Sequence, residues 1–299
     1  MSPPSAAQVR DAYHYCLALA RRHYENFPVA SLAVPARLRG PVAAIYAYAR
    51  TADDFADEEE RAPEARLALL RDYGRRLDEM AAGDPGNDPV FIALDDCRRR
   101  FRLPLPLFHD LLDAFSQDVT RKRYEDFAEV LDYCRRSANP VGRLLLHLYG
   151  EAEPGKLSRS DAICSALQLI NFLQDIRQDY HEHGRIYLPQ QDMRACGVSE
   201  DAIAAGRTDP AMLRLVDLQF ERIRALLVTG APLGWQLRGR LGLELRMILF
   251  GARRVLDRLA MQREDVFRRP RLTRMDRMGL LWMSITKTGL STQGQGPGQ

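Results

Sequence analysis

Residues that suit a pleated sheet are scarce in this chain: Val, Ile and Thr together number 31 of 299, against 76 Ala and Leu. Branched Cβ atoms favour strands and unbranched side chains favour helices, so the imbalance points away from any sheet-built architecture. The apolar spacing agrees. Val9, Tyr13, Cys16, Ala20 and Tyr24 recur every three or four residues, and the same period returns along most of the sequence. The expectation is an all-α protein.

Prolines and glycines place the helices. The first is expected over about 6–25, before Phe27-Pro28 and Pro35 mark an irregular connection. Pro41 reads as a first-turn proline for a second helix, with Val42, Ile45, Tyr46, Ala49 and Ala52 on its apolar side, running to about Arg61. A third covers about 64–82 and ends at Gly83-Asp84-Pro85-Gly86. Further helical periods cover about 88–101, 106–118, 126–149, 158–182, 209–228 and 234–262. Pro140 falls inside the 126–149 pattern and predicts a kink, because it removes a backbone donor and clashes with the preceding turn. No fixed-period repeat and no Gly/Ser-rich linker divides the chain, so residues 1–290 read as one helical domain. The last nine residues, 291–299, hold no apolar anchor and are expected to be a disordered tail.

Charge and cysteine usage exclude several functions. The 43 basic residues are balanced by 40 acids, a net charge of +3 that advertises no nucleic-acid partner. Five scattered cysteines without a Cys-x-x-Cys suggest neither a disulfide framework nor a zinc site, and make the cytoplasm the expected compartment. No stretch approaches the ~18 apolar residues of a spanning helix. The uncharged segment 278–286, with Leu280, Leu281, Trp282 and Ile285, is expected to pack on the core; the competing reading is peripheral contact with the inner face of a membrane. His181 and His183 fall on different helix faces and read as solvated residues rather than metal ligands.

The chemistry is carried by acid pairs. With 25 aspartates, chance alone gives about two Asp-x-x-x-Asp pairs, and the sequence has three. Asp84 and Asp88 sit in a Gly/Pro loop. The other two stand in coherent helical rows. Tyr46, Arg50, Asp53 and Asp57 step by 4, 3 and 4, and Gln168, Asn171, Asp175 and Asp179 step by 3, 4 and 4. Leu167, Ile170, Phe172, Leu173 and Ile176 flank the second row and predict a buried helix whose polar face needs partners. Two carboxylates one turn apart lie ~6 Å apart along the axis, and both can reach a hard divalent cation such as Mg2+. Two such faces across a cavity would hold a magnesium diphosphate. For the first row a solvated acidic surface competes, since Glu58, Glu59 and Glu60 follow directly.

At this point the chain resembles the squalene and phytoene synthase family. The resemblance runs from about His23 to Pro270 and rests on Glu25-Asn-Phe-Pro-Val-Ala-Ser31, Ala43-Ala-Ile-Tyr-Ala-Tyr-Ala-Arg-Thr-Ala-Asp-Asp-Phe-Ala-Asp-Glu58, Ser137-Ala-Asn-Pro-Val-Gly-Arg143, Asn171-Phe-Leu-Gln-Asp175 and Gly184-Arg-Ile-Tyr-Leu-Pro189. These look like the bacterial hydroxysqualene synthase branch. The resemblance implies an isoprenoid-synthase (terpenoid synthase) helical fold around a central cavity, with Asp53, Asp57, Asp175 and Asp179 binding Mg2+ and Asn171 and Gln168 assisting. It further implies that Tyr46, Arg50, Tyr133, Arg185, Tyr187 and Arg269 line the cavity or contact diphosphate, a task suited to planar arginine forks. Tyr133, Ser137 and Val141 step by four and are expected to face the hydrocarbon, with Ser137 or Tyr133 placing water.

The substrate so implied is presqualene diphosphate, ionised by a carbon–oxygen lyase and captured by water as hydroxysqualene, with substrate exchanged with other enzymes of the squalene pathway. Departures from condensing relatives sharpen this: Tyr24-Glu25-Asn26 stands in place of Ser-x-Ser, Gln174 in place of an arginine, and Ala252 in place of a tyrosine. Each removes a hydroxyl or cation that could serve a second diphosphate. Two other readings remain open, a head-to-head prenyl transferase making presqualene diphosphate, squalene or phytoene, and a non-catalytic assembly factor on the same fold.

Overall fold

A computed structural model describes residues 4–22, 34–58 and 60–268. His23, the 25–31 motif, Arg269, segment 278–286 and the 291–299 tail lie outside the described residues. Those described form 14 α-helices and no strand; an isolated parallel bridge joins Arg123 and Ile186.

The first five helices are α1 (Ala6–Arg22), α2 (Ala36–Asp57), α3 (Pro63–Ala81), α4 (Pro89–Phe101) and α5 (Pro106–Thr120). They pack around α2, whose Val42, Ala43, Ala44, Ile45, Ala47, Tyr48 and Ala52 are all buried. Small alanine side chains let α1 and α4 approach, while Tyr48 fills the space toward α3 and α5, stacked 5.0 Å from Tyr73 and donating from Oη to the Phe108 carbonyl at 3.3 Å. The remaining helices are α6 (Phe127–Ser137), α7 (Asn139–Tyr149), α8 (Pro154–Gln174), α9 (Ile176–His183), α10 (Gln190–Cys196), α11 (Glu200–Ala204), α12 (Pro210–Gly230), α13 (Leu233–Gln236) and α14 (Gly239–Met261). Here α8 is central, packed against α12, α7, α6 and α14. The two acid-bearing helices, α2 and α8, thus each sit at the heart of one cluster, with α5 and α7 in contact across the join.

Helix starts follow the expected chemistry. Pro63, Pro89, Pro106, Pro154 and Pro210 open helices, where a missing N–H costs nothing. Asp88 caps α4 by accepting from the Val90 amide at 2.8 Å and also pairs with Arg76, so the loop acid pair has a structural use.

Four expectations are corrected. Pro41 is not in the first turn, because α2 begins directly after Pro35 and carries Pro41 as its sixth residue. The 126–149 pattern is broken rather than kinked: Ala138 separates α6 from α7, and Pro140 becomes the second residue of a new helix. The 158–182 pattern starts earlier, at Pro154, and is interrupted at Asp175 (φ −112°, ψ 12°). Bonds from Asp175 N to Asn171 O (2.9 Å) and from Asp179 N to Asp175 O (2.8 Å) carry the helical register through that bend. The 234–262 pattern is split into α13 and α14 by the extended Leu237. Among the described residues no helix is long and apolar enough to cross a membrane.

Candidate active site

The last turn of α2 gathers Asp53, Asp54 and Asp57 at a helix C-terminus, where the macrodipole disfavours negative charge, and it holds no basic residue of its own. Arginines from elsewhere supply the compensation. Arg50, one turn earlier, donates from Nη1 to Asp53 at 3.0 Å and pairs through Nη2 with Asp54 at 2.5 Å. Arg66, buried on α3, donates to the Ala56 carbonyl at 2.7 Å, and Arg185 reaches Asp57 at 3.5 Å. Burial, then the Asp57 charge, still outweigh Arg50 and push the Asp53 carboxyl up to about 6. Tyr46 stands one turn before Arg50, half-buried, its phenol raised by burial.

The second pair lies where α8 passes into α9. Asn171 is exposed although Ile170, Phe172 and Leu173 beside it are buried, so this face of a central helix looks onto open space. Gln168, one turn earlier, is half-buried. Burial and the neighbouring Asp175 push the Asp179 carboxyl up to about 7, against the pull of Arg185 and His183.

Near both pairs lies Asp118, in the last turn of α5 and only 7% exposed. It accepts from Tyr133 Oη at 2.6 Å and Tyr187 Oη at 3.2 Å. Burial raises its carboxyl, with Arg185 and the two hydroxyls acting in the other direction. Its charge is felt by both Asp53 and Asp179, so it lies within electrostatic reach of both pairs. Arg185 is equally buried; burial opposes its cation, yet Tyr187, Asp118 and Asp57 more than offset this and raise its pKa. Tyr187 stacks on Phe172 with ring centroids 3.8 Å apart, and Tyr133 and Tyr124 complete an aromatic wall at 5.5 to 5.7 Å.

The structure therefore brings Arg50, Asp53, Asp57, Tyr133, Asp179, Arg185 and Tyr187 into one electrostatic unit around Asp118. Ser137 ends α6 and donates to the Tyr133 carbonyl at 2.9 Å, while half-buried Val141 belongs to α7. The break at Ala138 interrupts the expected row of Tyr133, Ser137 and Val141, and the Tyr133 hydroxyl is turned to Asp118. Sequence reasoning missed Asp118, Tyr124 and Arg66. The available signal for Asp118 was its place on the buried stripe Leu107, Leu111, Ala114, Asp118, at steps of 4, 3 and 4. A separate pocket of about 660 Å³ between α1, α2 and α4, lined in part by Tyr13, Arg37 and Gly40, contains none of these residues.

Two observations bear on what the unit binds. The Nε atoms of Arg50 and Arg185 are buried without a hydrogen-bond partner among the described residues, leaving unmet donors beside the acid pairs. An anion with several oxygens, such as diphosphate, suits both. Asp57 raises the proton affinity of Asp53, and Asp175 that of Asp179, a repulsion that a bound divalent cation relieves. Among the described residues no group of three or more His, Cys, Asp or Glu could hold a metal ion. Paired carboxylate oxygens are nonetheless the donor type that suits Mg2+, which completes its shell with phosphate oxygens and water.

Known proteins resemble this chain over most of its length. Residues 20–276 match the squalene/phytoene synthase family. The chain is 37% identical over 236 residues to a hydroxysqualene synthase of Rhodopseudomonas palustris, covering 79% of each chain, and 34% identical over 219 residues to a phytoene synthase of Mycobacterium tuberculosis, covering 73% of this chain and 71% of that one. The crystal structure of squalene synthase HpnC from Alicyclobacillus acidocaldarius superimposes with a TM-score of 0.81 at 34% identity, covering 87% of this chain and 97% of the other.

Proposed function

The chain belongs to the squalene/phytoene synthase family, and from that premise we propose that it is a hydroxysqualene synthase, converting presqualene diphosphate and water to hydroxysqualene, diphosphate and a proton. The observation that carries the reading is the convergence of both acid pairs on the buried Arg185–Asp118 centre, with unmet Nε donors on Arg50 and Arg185. Asp53, Asp57, Asp175 and Asp179 would hold Mg2+, which when bound neutralises the diphosphate as it departs. Arg50 and Arg185 donate to oxygens of the same group and stabilise the charge that grows on it as the carbon–oxygen bond breaks. Tyr133, Tyr187, Tyr124 and Phe172 form a packed aromatic cluster beside this centre, an environment suited to the allylic and cyclopropylcarbinyl cations left behind. Ser137 has its proton committed to the Tyr133 carbonyl, so its oxygen is free to accept from the water that captures the cation. Arg269 is proposed to add a further diphosphate contact.

Hydration rather than condensation is supported by what the chain lacks. By the family resemblance, Gln174 stands where condensing relatives often have an arginine, and Ala252, buried on α14, in place of a tyrosine near the last long helix. With fewer cations and hydroxyls the site serves one diphosphate. Incubating the purified protein with presqualene diphosphate and Mg2+, without nicotinamide cofactor, should give hydroxysqualene by mass spectrometry. Rapid consumption of farnesyl diphosphate to presqualene diphosphate would overturn the reading in favour of prenyl transfer.

A further inference from the structure

Arg123 lies outside the acid pairs, yet each nitrogen of its guanidinium is engaged. Nε and Nη2 donate to the two carboxylate oxygens of Glu200, the first residue of α11, at 2.6 Å each. Nη1 donates to the Gly184 carbonyl at 2.6 Å and to the Lys122 carbonyl at 2.8 Å. Gly184 directly precedes Arg185 and turns the chain out of α9 with φ 61°, in the left-handed region that favours glycine. From there to Pro189 the chain has no helix of its own. It is held instead to residues 122–125: Ile186 N donates to Lys122 O at 3.0 Å, and directly after the strap, at the start of α10, Gln190 N donates to Tyr124 O and Gln191 N to Glu125 O at 2.9 Å each. This non-helical strap carries both Arg185 and Tyr187.

A half-exposed arginine–carboxylate pair contributes little by itself. What sets this one apart is that a single guanidinium joins Glu200 to the backbone at the start of the strap and to the carbonyl preceding Arg123 itself, which needs the five-donor planar fork and which an ammonium on a flexible stem does not reproduce. We propose that Arg123, held by Glu200, is a positioning residue: it fixes the Gly184 carbonyl and so aims Arg185 and Tyr187 at Asp57 and Asp118, setting how tightly the site grips magnesium-bound diphosphate. The inference rests on the diphosphate chemistry proposed above.

The test titrates inorganic diphosphate with Mg2+ into the full chain by calorimetry, for wild type, R123Q, R185Q and the double variant. R123Q and R185Q should each weaken binding by about tenfold or more, since small misplacements of a charge-holding group cost factors of this size. The double variant should bind little worse than the weaker single variant, because one residue acts through the other. R123K, which keeps the charge but loses the fork, should fall between wild type and R123Q. The swap R123E/E200R should recover melting temperature but not affinity, since glutamate offers no donor to the Gly184 and Lys122 carbonyls. Additive losses, wild-type affinity in R123Q, or affinity restored by the swap would overturn the proposal. If wild type itself fails to bind magnesium diphosphate, the functional reading falls. The latch is then decided by amide exchange at Ile186: faster exchange in R123Q upholds it and an unchanged rate refutes it.

Discussion

A leucine at position 118 would complete the apolar stripe of α5, and an aspartate stands there. A buried carboxylate without partners costs several kcal/mol, so this one persists because Tyr133, Tyr187 and Arg185 surround it. The D118N variant keeps the shape and removes the charge. It turns the charge-assisted bonds from Tyr133 and Tyr187 into neutral ones and leaves buried Arg185 with Asp57, 3.5 Å away, as its ion partner, a combined loss of about 3 kcal/mol or more. The expected result is a clear drop in melting temperature together with an activity loss of at least an order of magnitude. Y133F is milder, losing one hydroxyl donor to a charged acceptor, about 1.5–3 kcal/mol. A thermal melt and a turnover assay check both; a D118N protein that melts and turns over like wild type would mean that Asp118 is a passive buried acid.

At the scale of helices, the close approach of α7 to α8 is set by Gly142, where a Cβ would collide with Ser160 Oγ and Cys164 Sγ. G142A should therefore push the two helices apart and cost about 1–3 kcal/mol, and the loss should shrink when S160G is added; equal melting temperatures for G142A and wild type would contradict this packing. Helix identity was largely legible in the sequence, because period and opening prolines are local signals, as at α3, α4, α5 and α12. The breaks were not. The apolar period passes through Ala138, Asp175 and Leu237 without interruption, and only the packing of neighbouring helices decides that the chain turns there. The same holds for the site. Paired acids and Arg50 were legible because partners one turn apart share a row in the sequence. Asp118 accepts from residues 15 and 69 positions away, Tyr124 accepts from Gln117 seven positions before it, and Arg66 donates to a backbone carbonyl ten positions back, so none of them shares such a row with its partner.

Across the whole molecule a net charge of +3 conceals a local concentration of like charge, and this makes protons favour folding but oppose metal binding in a defined pH window. Asp53 and Asp179 are held at about 6 and about 7 in the fold, above the 3.8 of an unperturbed aspartate. A carboxyl raised on folding binds its proton more tightly in the native state. Its contribution to stability is therefore complete below the unfolded value and is lost as pH rises through 6 to 7. Metal-free protein should accordingly lose melting temperature between about pH 4 and 7.5. Mg2+ with diphosphate binds the ionised carboxylates in competition with protons, so adding both should restore stability most at the upper end of that window. Activity should mirror this. At limiting Mg2+ the rate should climb through pH 6 to 7 as Asp53 and Asp179 ionise, and at saturating Mg2+ the inflection should move to lower pH. In the variant D53N/D179N the alkaline loss of melting temperature should be blunted and the protection by magnesium diphosphate abolished. A pH profile of melting temperature with and without the two ligands distinguishes this from general charge repulsion, which would survive in the variant unchanged.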